Sequence, residues 1–306
     1  MAFAQGSRSG LSYIKETSFG VTPAGNLKEI PFTTQSLNLS KDRVQGNDIQ
    51  KDRMPRHDRH GNRNAGGEVV FDLRADVYDD FLAGAMFNTW VDDQLKVGTN
   101  IQSFTFQDNA EDIGVVKTYT GLSVSEMSFS IQPNQMITTT TAFIGKDMAT
   151  DVPVRTADAP ALVSPFDAYS GALEIATTGG VLTEIANITS IDFSINNGLN
   201  PTFVVGSAST PQLEYGRAVI EGTINAHFDS LSLVNRFLDE TETAVSVSLN
   251  DPTGLNQYTF FFPRTKFNDG ATPVENPQSR MVTIPFVSLY DSTFGSNLVI
   301  TRPDTV

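Results

Sequence analysis

The chain has 306 residues and carries 21 Lys and Arg against 35 Asp and Glu, a net charge of −14. This length fits two domains or one large β unit, and the acidic balance argues against adhesion to a phosphate backbone. The absence of cysteine excludes disulfides, thiolate nucleophiles and Cys-based metal sites. The N-terminus lacks a signal-peptide pattern, and no apolar stretch is long enough to cross a bilayer, so we expect no membrane partner.

Alternation of apolar and polar residues dominates the chain and predicts a mainly β fold. In chain order, strands are predicted at 32–39, 68–73, 103–107, 122–131, 136–144, 188–195, 219–228, 244–249, 258–262 and 281–289. Ten strands is therefore a minimum.

Only two segments have the period of an amphipathic helix. The first covers residues 76–90 with Asp76 as its predicted N-cap, and the second covers 229–239 with Asp229 or Ser230 as its N-cap. The residues predicted to face inward are Val77, Phe81, Leu82, Ala85, Met86, Leu231, Val234, Phe237 and Leu238. Each helix directly follows a predicted strand.

The two halves present the same order of strand, loop, strand, helix and three strands, which indicates an internal duplication rather than a chance likeness of β-rich halves. We predict an N-terminal arm at 1–30, a first copy at 31–150, a linker rich in Pro and Ala at 151–170, a second copy at 171–290 and a C-terminal arm at 291–306. Both arms are expected to become ordered only against neighbouring molecules.

The segment 41–66 is predicted to be a long loop whose charge opposes that of the rest of the chain. It holds seven Lys and Arg against four Asp, a net charge of +3. A flexible solvated loop and a nucleic-acid contact are two interpretations, although the interspersed Asp and the lack of aromatic residues disfavour the second. We favour docking of its basic side chains on an acidic surface of another copy. The expected contacts are Arg43, Lys51, Arg53, Arg56, Arg59 and Arg63.

No motif for catalysis, nucleotide binding or a metal site occurs in the sequence. His57 and His60 have no third ligand nearby, and the acidic segment 108–112 departs from the spacing of a calcium loop, so it is predicted to be a hairpin turn. We expect a protein that is not an enzyme and has no cofactor.

Short segments distributed along nearly the whole chain resemble one known family. They are 12–23 (SYIKETSFGVTP), 104–107 (FTFQ), 112–114 (DIG), 119–121 (YTG), 127–134 (MSFSIQPN), 205–206 (VG), 262–264 (FPR) and 300–302 (ITR). In this order they resemble the tail tube, or major tail, proteins of long-tailed bacteriophages.

The resemblance implies two tandem β-sandwich or partial-barrel domains, each with a flanking helix, in a structural protein of the virion. It implies rings that stack into a hollow tube, through which the genome is ejected into the host cell. The implied partners are other copies of the chain, tail tip and tail terminator proteins at the tube ends, and a tape measure protein followed by double-stranded DNA in the lumen. Localisation would be the phage tail, after synthesis in the host cytoplasm. The alternative is a β-sandwich binding module, such as a decoration or receptor-binding protein of a virion.

Two expectations follow for such an assembly. If a ring presents six equivalent domains, a duplicated chain closes it with three copies in pseudo-sixfold symmetry. A conduit for DNA should also repel its cargo, so carboxylates are expected to line the lumen. Strand alternation offers Asp72, Glu126, Asp192 and Glu221 as lumen-facing acids, subject to the choice of face. The basic segment 41–66 is expected to bridge successive rings.

Overall fold

A computed structural model of the chain describes residues 3–49, 51–52, 54–184, 187–254, 256–274 and 279–302. The fold is mainly β, with two short helices, α1 (Asp79–Ala85) and α2 (Ser232–Leu238). The strands of the first half are β1 (Ser9–Lys15), β2 (Leu27–Ile30), β3 (Thr34–Gln35), β4 (Asn38–Gln45), β5 (Asp58–Asp72), β6 (Gln94–Lys96), β7 (Phe104–Ala110), β8 (Val115–Ile131), β9 (Thr138–Gly145) and β10 (Asp147–Ala149). The remaining strands are β11 (Ala157–Asp158), β12 (Ala172–Thr177), β13 (Thr183–Glu184), β14 (Ile188–Asn196), β15 (Asn200–Thr202), β16 (Gln212–Glu214), β17 (Val219–His227), β18 (Thr243–Asn250), β19 (Gln257–Phe267), β20 (Met281–Ser288) and β21 (Val299–Thr301).

The strands of the first half form two sheets that share the long strand β8. Its N-terminal part pairs with β7, which pairs with β1 and then β2. Its C-terminal part pairs with β9, which pairs with β5 and then β4. Strand β8 thus passes from one layer of a sandwich to the other.

The second half repeats this order of pairing. Strand β19 pairs with β18, followed by β12 and β13, and its other end pairs with β20, followed by β17 and β14. The short strand β21 pairs with β19, as β10 pairs with β8 in the first half. Each half is therefore a sandwich whose two layers share one long strand, which is β8 in the first half and β19 in the second.

A direct ladder between β14 and β8 joins the two halves. Its register places Ile131 opposite Ile191 and Glu126 opposite Asn196. The result is a common sheet of eight strands in the order β4, β5, β9, β8, β14, β17, β20 and β19, which is not closed into a barrel. A second connection runs from β21 near the C-terminus to β6 of the first half.

Aromatic side chains fill the space between the layers. Phe81 of α1 lies 4.7 Å from the ring of Tyr13 and 5.6 Å from that of Phe143, so the helix packs between strands of both layers. Phe129 and Phe193 stack across the joint between the halves at 4.7 Å. One continuous cluster of buried side chains runs through both halves, which ties their relative placement to the packing of the core.

Nine of the ten predicted strands are confirmed, although β5 begins ten residues and β8 seven residues earlier than predicted. The strand predicted at 32–39 is divided between the short β3 and the start of β4. The arms differ from expectation, because they pair within the chain. Strand β1 lies in a seven-residue ladder with β7, and β21 pairs with both β19 and β6. Within the predicted linker, Phe166 is fully buried and its backbone bonds to Ile137 and Leu73. The predicted domain limits stay predictions.

The prediction of a loop at 41–66 is wrong for most of its length. Strands β4 and β5 pair from Asn38 and Gly66 to Gln45 and Asp58, so the segment is a long β-hairpin. Both faces of its outer part are exposed, so it has no apolar alternation by which a strand could be recognised. We call residues 41–63 the basic hairpin.

Both helices are shorter than predicted and start later. Asp76 has φ of 62°, and its N–H donates to the Tyr258 hydroxyl, so it lies in a turn rather than at the cap. Helix α2 begins at Ser232, and Leu231 and Leu238 are exposed instead of inward. The predicted apolar face of α1 is confirmed at Phe81, Leu82, Ala85 and Met86.

Candidate functional site

One face of the common sheet is polar and open to solvent, and the four acids selected from the sequence all lie on it. Asp72, Glu126, Asp192 and Glu221 are half-buried or exposed. The residues next to them along the strands are buried in the core, namely Phe71, Met127, Phe193 and Ile220. Because strand side chains alternate between faces, burial of these neighbours settles which face the acids share. We call this surface the acidic face.

The register brings these acids into neighbouring rows across the two halves. Asp72 lies opposite Thr138, which lies opposite Ser130, which in turn lies opposite Asp192. Glu221 lies opposite Ser194 in the adjacent row. Strands that are distant in sequence thus combine their carboxylates on one surface.

The partners of these carboxylates are mostly neutral. Ser130 Oγ donates to Asp192 Oδ1 at 2.6 Å, and Asn196 Nδ2 donates to Glu126 Oε2 at 3.1 Å. Glu68 adds a fifth carboxylate to the face, while Lys266 stands at its edge and binds Glu240 at 3.3 Å. Hydrogen bonds to neutral groups orient a carboxylate without cancelling its charge, so Asp192 and Glu126 keep their negative charge on this face.

The basic hairpin extends beyond the end of the common sheet. The last ladder pair of β5 with β9 joins Ala65 and Gly145. From there β5 continues seven residues to Asp58, a distance of about 24 Å at the usual rise of a strand. Arg43, Lys51, Arg56 and Arg59 lie on this extension and are exposed. Arg53 lies outside the described residues.

The predicted contact residues differ in how far they are already paired. Arg43 Nε binds Asp58 Oδ2 at 2.6 Å, and Arg56 forms an ion pair with Asp52. Arg63 is engaged within the chain, because its guanidinium binds Asp147 Oδ1 at 2.9 Å and the Met148 carbonyl at 3.2 Å.

The common sheet has one unpaired edge at each end. Within the described ranges, β4 pairs only with β5, so its outer edge has no strand partner. At the other end, the chain continues past β19 along β20, with an Asn268 N–H bond to Pro285 and a bridge between Ala271 and Thr283. The outer edge of residues 268–274 also has no strand partner among the described strands. Unpaired edges are sites for pairing with another chain.

A charged cluster near the C-terminus was not predicted from the sequence. Arg302 forms ion pairs with Asp79 at the start of α1 and, at 2.8 Å, with Asp93. Its guanidinium carbon lies 4.6 Å from the ring centre of Trp90, and the Tyr258 hydroxyl donates to Asp79. Burial raises the pKa of the Asp79 carboxyl, against the opposing effects of Tyr258 and Arg302. These residues are far apart in sequence, so no local pattern indicates them.

A second buried group closes the N-terminal segment onto the sandwich. The Glu16 carboxylate is 7% exposed and accepts four hydrogen bonds. The donors are the Gly20 and Gly121 N–H groups at 2.7 and 2.9 Å and the Ser103 and Thr105 hydroxyls at 2.6 and 2.7 Å. The carboxylate is therefore fully engaged in holding β1 against β7 and β8.

Among the described residues, no group of three or more His, Asp and Glu is arranged to hold a metal ion. In the same part of the chain, no helix has the length and apolarity needed to span a membrane. The acidic hairpin turn predicted at 108–112 is confirmed only in part, because residues 108–110 belong to β7 and the turn between β7 and β8 lies at 111–114. The site is thus composed of surfaces and sheet edges.

Comparison with known proteins agrees with these features. A family model described as phage tail tube protein matches residues 6–288, which is nearly the whole chain. No curated protein matches the sequence. The chain belongs to the family of phage tail tube proteins, which are structural components of the virion tail and not enzymes.

Proposed function

We propose that three copies of the chain close a ring and that stacked rings form the hollow tube of a phage tail, through which the genome is ejected into the host cell. The observation that carries this proposal is the ladder between β8 and β14. It adds the second half of a chain to the first, and the corresponding edges of β4 and residues 268–274 have no strand partner among the described residues. We therefore expect a ladder of the same kind between neighbouring chains, formed by β4 of one chain and residues 268–274 of the next.

Register shifts at matching places in the two halves allow the halves to be aligned residue by residue. In the first half, the register shifts between the pairs Phe104 with Leu122 and Phe106 with Tyr119. In the second, it shifts between Thr243 with Thr265 and Val245 with Phe262. Because a β-bulge is a specific local feature, Leu122 corresponds to Thr265. The bridge between Ala271 and Thr283 then corresponds to the pair Ser128 and Thr140.

A second alignment connects β4 with β14. Phe143 lies opposite Gly67, and its counterpart Phe286 lies opposite Gly222. A Cβ atom would come within 2.5 Å of the Ser36 carbonyl oxygen at Gly67 and within 2.6 Å of the Asp192 carbonyl oxygen at Gly222, so both positions require a similar close approach of the backbone. Asn38 lies opposite Gly66 and therefore corresponds to Ser194.

These correspondences predict the register between chains. Ser194 lies opposite Ser128 inside the chain, so Asn38 of one chain is expected opposite Ala271 of the next. Leu39 and Gly270 would form the adjacent pair. Both Asn38 and Ala271 are exposed, which leaves them accessible for such a ladder. A ring closed in this way by three chains contains six equivalent sandwiches.

A disulfide between adjacent chains tests the register. The chain has no cysteine, so Asn38→Cys with Ala271→Cys introduces one pair. Non-hydrogen-bonded pairs of antiparallel strands have Cα atoms about 4.5 Å apart, within disulfide range. Oxidised assemblies are expected to yield covalent species of three chains and none larger. Ser128→Cys with Ser194→Cys is the positive control within one chain.

A second cysteine pair, shifted by one residue, distinguishes cross-linking in this register from cross-linking by random proximity. In Asn38→Cys with Thr272→Cys, the second cysteine points to the opposite face, and little cross-linking is expected. Covalent species of six chains, or equal cross-linking of both pairs, would contradict the trimeric ring.

The acidic face is proposed to line the lumen. Its carboxylates are contributed by both halves and by four strands, so a closed ring would carry them around the whole circumference. Neutralised phosphates release counterions and add affinity, which would stall DNA in transit. A negative lumen instead lets double-stranded DNA, and before it a tape measure protein, pass without adhesion.

The basic hairpin is proposed to bridge successive rings. Its exposed cations Arg43, Lys51, Arg56 and Arg59 oppose the charge of the remaining chain. Arg63 is left out of this proposal because its guanidinium is engaged within the chain. Charge reversal at Lys51 and Arg59 is expected to leave rings intact but to prevent tubes, which electron microscopy would show. Tubes of normal length would refute the bridging role.

The remaining partners follow from the position of a tube in a tail. Tail tip and tail terminator proteins would bind its two ends, and the chain would be made in the host cytoplasm before assembly into the virion.

A further inference from the structure

A groove lies between the two halves, at the end of the common sheet away from the basic hairpin. It has a volume of about 330 Å³. The apolar side chains in its lining are Ile131, Leu173, Ile188, Ile191, Val247 and Leu249. Strand β5 begins at the hairpin and ends at Asp72, which shares a row with Ser130, the residue before Ile131. The groove and the hairpin therefore lie at opposite ends of the folded molecule, along the direction of the strands.

The hairpin carries apolar side chains that nothing covers within the described residues. Val44, Ile49 and Met54 are 56%, 99% and 66% exposed. Exposed apolar groups on an extended element commonly mark an interaction site, and these three lie among the cations of the basic hairpin.

The surroundings of the groove have the opposite charge. The half-buried Asp167, Glu174 and Asp192 lie within two residues of its lining, and no Lys or Arg lies so close in sequence. Tyr169 at its rim is 94% exposed. An apolar groove with acidic surroundings thus complements an apolar hairpin tip with basic flanks.

We propose that Ile49 and Met54 of the hairpin insert into this groove on a chain of the adjacent ring. Each chain supplies one hairpin and one groove at opposite ends, so every hairpin in a stack of identical rings finds one groove, as head-to-tail association requires. The inference rests on the stacking proposed above and specifies the surface that receives the hairpin. Apolar insertion supplies affinity, and the flanking ion pairs select the orientation.

Two exposed cysteines provide the direct test. Met54→Cys with Tyr169→Cys is expected to form disulfides between rings in assembled tubes, giving covalent ladders on non-reducing gels. The matched control is Met54→Cys with Val181→Cys, since Val181 is also exposed but lies beyond the far end of β12, about 20 Å away along the strand. Equal cross-linking of both pairs, or tubes without the first cross-link, would overturn the proposal.

A second variant removes the apolar contact without cysteines. Ile49→Ser with Met54→Ser is expected to raise the protein concentration needed for tube formation by about tenfold or more, while rings still form. Val205→Ser, at a fully exposed position, is the control and should not change it. Normal tube formation by the double variant would refute insertion. Loss of the rings themselves would instead show that the hairpin belongs to the ring interface and would refute the proposed bridging of rings, so the two failures are distinguishable by particle mass.

Discussion

Replacing Arg302 by Ala should destabilise the fold by removing a connection between its two halves. The guanidinium pairs with Asp79 and Asp93, and all three side chains are at most 20% exposed. Removing one partner of a largely buried ion pair costs about 3 kcal/mol, because it leaves a carboxylate without compensation. For a chain of this length, that loss corresponds to a decrease in melting temperature of about 5 °C.

The loss of stability caused by Arg302→Ala should depend on pH in a defined direction. Burial raises the pKa of the Asp79 carboxyl above its ordinary value, so the folded state retains a proton that the unfolded state has released. The free energy of unfolding therefore falls as pH rises from the unfolded pKa through the folded one. Removal of Arg302 strengthens this trend, since the arginine favours the charged carboxylate. The difference between wild type and variant should be small in acid and largest near neutral pH.

Urea denaturation followed by circular dichroism, at protein concentrations below assembly, measures this difference. Trp90 is the only tryptophan and lies against Arg302, so its fluorescence reports the local change. Arg8→Ala is the control, because the Arg8 ion pair with Glu111 is more than half exposed and should contribute less than about 1 kcal/mol. Equal losses in both variants, or a deficit that shrinks as pH rises toward neutrality, would refute the reasoning.

Three further variants test the packing of the sheet, the anchoring of the N-terminal segment and the proposed lumen. Gly222→Ala places a Cβ 2.6 Å from a ring carbon of the next strand and should cost about 1–3 kcal/mol in urea denaturation, whereas Gly6→Ala, which meets open space, should be neutral. Glu16→Gln leaves an amide that cannot accept from all four donors, with an expected loss of about 2–3 kcal/mol; unchanged stability would contradict its anchoring role. Asp192→Lys with Glu221→Lys should give tubes that retain DNA at low salt and release it at high salt, and absence of retention would contradict the lumen assignment.

Most strands of the common sheet are predictable from the sequence because one of their faces is buried. Residues 188–195, for example, alternate between core and solvent, and this alternation is visible in the sequence as period two. The basic hairpin is not predicted, because both of its faces are exposed and its residues do not alternate between apolar and polar. The short strands β1 and β21 depend on partners about 95 and 40 residues away in sequence, and local composition does not reveal such pairing.

The candidate site is also predictable only in part. The four acids were selected by alternation, which leaves two faces open, and only burial of Phe71 and Phe193 identifies the face they share. The basic character of 41–63 was read directly from composition, whereas the engagement of Arg63 by Asp147 requires a tertiary contact. The groove between the halves combines residues from four strands, so no sequence window contains it.

Image reconstruction of tubes assembled from the purified protein would determine the number of chains in a ring, the register between them and the surface that lines the lumen. We expect three chains per ring, with Asn38 of one chain opposite Ala271 of the next and the acidic face turned toward the lumen. Six chains per ring, or a β4 edge that faces solvent in the assembled tube, would contradict it.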